Sequence, residues 1–213
     1  GESEQALTHF AEALELEPDL AIAHAGMVGI HEAAGQDALA IASLERWLQH
    51  DPQAQSRAAS HLRLAGHLQA SDQNEACERH LRRALAEDAS LEAAWQKLGE
   101  RLYAAESWDD ALETCEQARP HLRSPALRAR LALLRARILE ARQDRRAAAD
   151  AYAEVTQADP RACDAILAQA RLLRGLGEWD AAATALGDFA SSHPEPTCAQ
   201  LAQVQLERGR LLA

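Results

Sequence analysis

Residues 90–120, SLEAAWQKLGERLYAAESWDDALETCEQARP, read as two amphipathic helices joined by a short turn. Trp95, Leu98, Gly99 and Leu102 fall at i, i+3, i+4 and i+7, which is one face of a helix. Glu106-Ser107 interrupts that pattern, and Ser107 stands where it could cap a second helix. The second helix carries Ala111, Leu112, Cys115 and Ala118 on its apolar face, and Pro120 closes it. The same frame extends in both directions. Alanine or cysteine stands at Ala6, Ala40, Cys77, Ala111, Ala148 and Ala182, at steps of 34, 37, 34, 37 and 34. Four residues after each stands Phe10, Leu44, Leu81, Cys115, Tyr152 or Leu186, and proline recurs at Pro18, Pro52, Pro160 and Pro194. A period of this size marks a solenoid, whose units bury their apolar faces against their neighbours.

Trp95-x2-Leu98-Gly99-x2-Leu102 followed by Ala111-x3-Cys115-x2-Ala118 resembles the tetratricopeptide repeat, whose signature is W-x2-L-G-x2-Y, then A-x3-F and a closing proline. The first-helix pattern continues at His24-x2-Met27-Val28 and His61-x2-Leu64-Ala65. It departs at Ala132-x2-Arg135 and Ile166-x2-Gln169, where a polar residue replaces leucine. The resemblance covers essentially the whole chain and implies an all-α, right-handed superhelical solenoid of helix-turn-helix repeats. In that frame residues 1–19 are a leading second helix. Repeats follow at 20–53, 57–90, 91–124, 128–161 and 162–195, and 196–213 are a trailing first helix, in a single solenoid domain. Each 37-residue step places three extra residues between repeats, in Asp51 to Arg57 and in Arg119 to Arg128, where Pro120 and Pro125 suggest an extended connection. The chain starts and stops part-way through a repeat and so reads as a piece of a longer protein.

Composition agrees with helix, since alanine, leucine, glutamate, arginine and glutamine dominate. Aromatic content of 4% is too low for a sandwich or barrel core. The net charge of -11 disfavours a nucleic-acid partner. No stretch is apolar for long enough to span a membrane, and none reads as a secretory signal. The alanine and arginine usage looks bacterial, and the cytoplasm is favoured over the periplasm.

Chemistry is not legible in the motifs. Cys77, Cys115, Cys163 and Cys198 are spread one per repeat without CxxC spacing, so neither a disulfide framework nor a zinc site is expected. Cys77 and Cys115 read as small buried hydrophobes. His24 and His31 occupy the repeat's aromatic positions and are expected to pack. His61 and His67 point different ways, His80 stands alone, and no carboxylate is seen to face the histidines. Gly175-Leu176-Gly177 is read as a helix stop. No catalytic constellation, metal site or cofactor motif is found.

The resemblance implies that the first helix of each repeat lines a concave groove. The lysines and asparagines of the family's carboxylate-clamp members are missing from the matching positions. The later groove instead presents Arg130, Leu133, Arg137, Leu167, Arg171, Arg174, Leu201 and Arg208, against the carboxylates Glu140 and Asp164. Arginine forks interleaved with leucines suit an acidic or amphipathic peptide or helix of a partner protein. A blander reading has these arginines solvating an exposed face, with Arg137 pairing to Glu140 three residues on. Two further readings stand beside the protein-binding scaffold. One is a substrate-positioning region of a larger enzyme, and the other is homo-oligomerisation through the open solenoid ends.

Overall fold

The computed structural model describes residues 1–50, 54–159, 162–192 and 206–210. All of its regular structure among these residues is helical. The helices are α1 (Glu2–Leu16), α2 (Ala21–Ala33), α3 (Asp37–His50), α4 (Ala54–Ala70), α5 (Asn74–Glu87), α6 (Glu92–Ala104), α7 (Trp108–Ala118), α8 (Pro125–Ala141), α9 (Arg145–Ala158), α10 (Cys163–Gly175) and α11 (Trp179–Ser192). Residues 206–210 are also helical. The chain divides into two compact units, Gly1–Arg101 and Leu102–Ala213, with the boundary inside α6.

One turn recurs inside every repeat. Gly35, Asp72, Glu106, Gln143 and Gly177 all have φ between 56° and 79°, the left-handed region. At each, the next residue's N–H reaches back to a carbonyl of the preceding helix: Gln36 to His31, Gln73 to Leu68, Ser107 to Leu102, Asp144 to Leu139 and Glu178 to Leu173. This is a helix C-terminal cap that satisfies orphaned carbonyls while reversing the chain. Only two of the five positions are glycine, so three side chains hold a conformation disfavoured for L-residues. Gly177 is the helix stop read from the sequence. Ser107 does occupy the N-cap position of α7, but its side chain makes no capping hydrogen bond. Asp144 caps α9 instead, accepting from the Ala147 N–H at 3.2 Å.

In the first unit, α1 packs on α2, α2 on α3, α3 on α4 and α4 on α5. Val28, Leu44, Leu64 and Leu81 are sealed in its core. His24 and His31 are buried at the aromatic positions, as their repeat register requires, and the His24 ring stacks on His50 with centroids 5.4 Å apart. Helix α1 has no fully buried residue. Its anchor is Phe10, whose ring lies against Gly26; a Cβ there would sit 2.4 Å from the ring. The glycine is what lets α1 seat.

In the second unit, α7 packs on α8, α8 on α9, α9 on α10 and α10 on α11. Its core joins Leu139, Tyr152, Val155, Ile166, Leu186 and Phe189. Between α7 and α8 the three extra residues do not simply extend. Arg119–His121 form a 3₁₀ turn, Pro120 sits within it, and Pro125 opens α8 behind the N-cap Ser124. The other lengthened connection, with Pro52, lies partly outside the described residues.

Candidate partner-binding groove

Helices α8 and α10 are the first helices of successive repeats, and they carry the arginines singled out in the sequence. Arg130 and Arg137 are exposed on α8, and Arg171 and Arg174 are exposed on α10. Leu133 and Leu167 are half-buried, each resting partly on the unit's core, so only part of each side chain faces outward.

A cavity of about 380 Å³ opens along α10, lined by Asp164, Leu167, Ala170, Arg171, Arg174 and Glu207. Three of the sequence candidates thus share one concavity. Arg171 donates to Glu140 on α8 at 2.7 Å, and the Tyr152 hydroxyl donates to the other oxygen of that carboxylate at 2.8 Å. Burial, with the Glu140 hydrogen bond second, pushes the Tyr152 phenol well above its ordinary range, so it stays a donor. Arg174 reaches Glu207 at 3.3 Å, and Arg210 shares that carboxylate at 2.6 Å. The pairing of Arg137 with Glu140 anticipated along α8 is not made. Arg130 and Arg137 have no ion pair among the described residues.

Arg208 is placed differently from the expectation. Its guanidinium lies against Gly187 of α11, where a Cβ would come within 3.2 Å of it. Its buried Nε has no hydrogen-bond partner among the described residues, and it is absent from the cavity wall. Leu201 lies outside the described residues. Sequence reasoning missed Tyr152 and Glu207. The tyrosine sits at the second-helix aromatic position, which reads as core, and its hydroxyl role depends on Glu140 of the facing helix α8.

The histidines form more contacts than their spacing suggests. His80 is not alone: its Nδ1 is 2.9 Å from the Nδ1 of His61. Carboxylates do face the rings, with His67 between Glu32 at 3.1 Å and Asp37 at 2.8 Å, and His50 3.0 Å from Asp19. The carboxylate contacts join residues about a repeat apart and His61–His80 joins two helices of one repeat, which a within-helix search does not reach. Among the described residues no three His, Cys, Asp or Glu side chains gather in a way that could hold a metal ion. Cys163 is disulfide-bonded, whereas Cys77 and Cys115 are free and buried. Among the described residues no helix is long and apolar enough to cross a membrane.

Residues 164–196 match the family model for the tetratricopeptide repeat. Solved structures extend the likeness. YrrB, whose structure is described as a TPR protein with an unusual peptide-binding site, superposes with a TM-score of 0.63 at 17% identity, over 94% of this chain and 97% of that one. MamA gives a TM-score of 0.59 at 19% identity, over 75% and 90% of the two chains. PilF of Pseudomonas aeruginosa gives 0.55 at 22%, over 97% and 90%. No curated protein matches in sequence. Residues 164–196 thus match one tetratricopeptide repeat, and the likeness to these structures shows an all-α solenoid fold.

Proposed function

We propose that the second unit binds a peptide or short helix of another protein, acidic to amphipathic, along α8 and α10. The cavity lined by Leu167, Arg171 and Arg174 carries this reading. It offers an apolar wall beside two guanidiniums, and the exposed Arg130 and Arg137 continue the cationic strip on α8. Arg171 is already oriented by Glu140, so a ligand carboxylate meets a donor whose rotamer freedom is partly spent. YrrB's described peptide-binding site supports a ligand of this kind on such a scaffold. The arginines would set register and salt dependence, and the apolar contacts would supply most of the affinity.

The test is a capture experiment comparing the unmodified chain with an Arg137→Glu, Arg171→Glu, Arg174→Glu variant. A partner held by the former, released by moderate salt and lost from the latter, supports the reading. Equal capture by both overturns it.

Self-assembly is a second reading, carried by a different observation. Leu16 is 90% exposed and Ile22 is 77% exposed in the first unit, beside a helix with no fully buried residue. A second copy seated there would cover them. Light scattering that stays monomeric across a wide concentration series overturns this reading.

A further inference from the structure

The lengthened junction between α7 and α8 leaves a second cavity that the groove reading does not use. It measures about 330 Å³, with Cys115, Leu122 and Leu131 in its wall and Arg119, Arg128 and Arg135 around it. Arg135 stands where other repeats have Leu64 or Leu98, both sealed from solvent. A guanidinium at such a position needs partners, and it finds two: Glu116 of α7 at 2.9 Å and Glu154 of α9 at 3.1 Å. Arg119 also turns to Glu116, at 3.3 Å. Arg128 has no ion pair among the described residues. Arg119 and Arg135 thus share two carboxylates, and the positive charge of Arg128 is left over at the edge of a cleft whose wall includes Glu154, Ala132 and Ala158 beside the leucines and the thiol.

Cys115 adds no charge. It is 2% exposed, and burial pushes its thiol up to about 12, so it is a neutral, apolar surface at neutral pH. The cavity's size is at the small end for ligand sites, which run from about 300 to 1,000 Å³, and too small for a partner helix. An apolar body with a single negative end matches both the wall and the charge surplus.

We propose that this cleft binds an aliphatic monocarboxylate of medium chain length. Its chain lies against Cys115, Leu122 and Leu131, and its carboxylate is held by Arg119 and Arg128. Arg135 is a positioning residue: by tying α7 to α9 through Glu116 and Glu154 it keeps the cleft open at a width that a leucine would close. The proposal is independent of the groove on α8 and α10.

The probe is octanoate, with uncharged 1-octanol as its control, followed by NMR on the full chain. Saturable binding that shifts the Leu122 and Leu131 methyl resonances, with octanol bound about tenfold more weakly, supports the site. The Arg119→Ala, Arg128→Ala double variant is expected to weaken octanoate by about tenfold as well. Ala158→Trp, on the exposed rim, closes the entrance without disturbing the core and abolishes the shifts. Circular dichroism confirms that both variants remain folded. No saturable octanoate binding, equal binding of octanol, or unchanged affinity in the double variant overturns the proposal. So does displacement of the shifts to Leu167, or binding of a peptide C-terminus where octanoate fails.

Discussion

His61 on α4 and His80 on α5 bring their Nδ1 atoms to 2.9 Å, a distance at which the pair can hold one proton between the two nitrogens but not one on each. Burial, then His61 and the guanidiniums of Arg83 and Arg79, push the His80 pKa down to about 4. Burial and Arg83 lower His61 as well. The unfolded chain protonates these rings near their ordinary value of 6.5, while the folded chain refuses the proton until about pH 4 for His80.

Stability from this pair is therefore fully present above pH 6.5 and is lost as the pH falls from there toward 4. With an allowance for partial solvent access, roughly 1 to 2 kcal/mol is expected to disappear over that window. His80→Gln should flatten the acid limb. Urea titrations at a series of pH values check this, and an acid limb unchanged in the variant contradicts it.

His67 behaves oppositely. Burial opposes its charge, but hydrogen bonds to Glu32 and Asp37 prevail and raise its pKa above 6.5. Its contribution is complete below 6.5 and is lost as the pH rises through the raised value. His67→Gln is expected to reduce stability at pH 6 more than at pH 9, as read by the same titrations.

The recurring left-handed turn makes a third prediction. Glu106→Gly and Gln143→Gly relieve a φ of 56° and 64° on side chains that gain nothing from it in the turn itself. Each should stabilise the chain by about 0.5–1 kcal/mol, after the entropy that glycine adds to the unfolded state. Gly177→Ala, at φ 79°, should destabilise by about 1 kcal/mol. Urea midpoints with unchanged slopes are the measurement.

The anchoring of α1 makes a fourth. Gly26→Ala puts a methyl group into the Phe10 ring, and α1 has no other sealed contact to hold it. Hydrogen exchange should show α1 losing protection while α4 and α5 keep theirs. Uniform loss across the first unit would contradict this.

The helices and their turns were legible in the sequence because both obey local rules. The 34-residue frame places Leu44, Leu81 and Leu186 at equivalent sealed positions, and each intra-repeat turn falls where the apolar face breaks. Arg171 and Arg174 were legible as outward-facing first-helix residues for the same reason. What escaped depends on residues of different helices meeting in space. Glu140 chooses Arg171 and Tyr152 over its near neighbour Arg137, because α9 and α10 bring them closer than its own helix does. Arg208 has the register of a groove residue, yet the small Gly187 lets it lie along α11. His80 found His61 across a helix pair, and Arg135 found carboxylates on two flanking helices.

The groove is tested most directly by selecting random peptides on the immobilised chain, then measuring the enriched sequences by fluorescence anisotropy. Peptides combining carboxylates with apolar residues are expected. Their affinity should fall by tenfold or more, on the order of 1.4 kcal/mol, in the Arg137→Glu, Arg171→Glu, Arg174→Glu variant and with rising salt. Arg171→Gln, which removes the charge without setting a new carboxylate against Glu140, should show a smaller loss in the same direction. Enrichment of basic peptides, or acidic ones bound equally by all variants, would contradict a cationic peptide groove on α8 and α10.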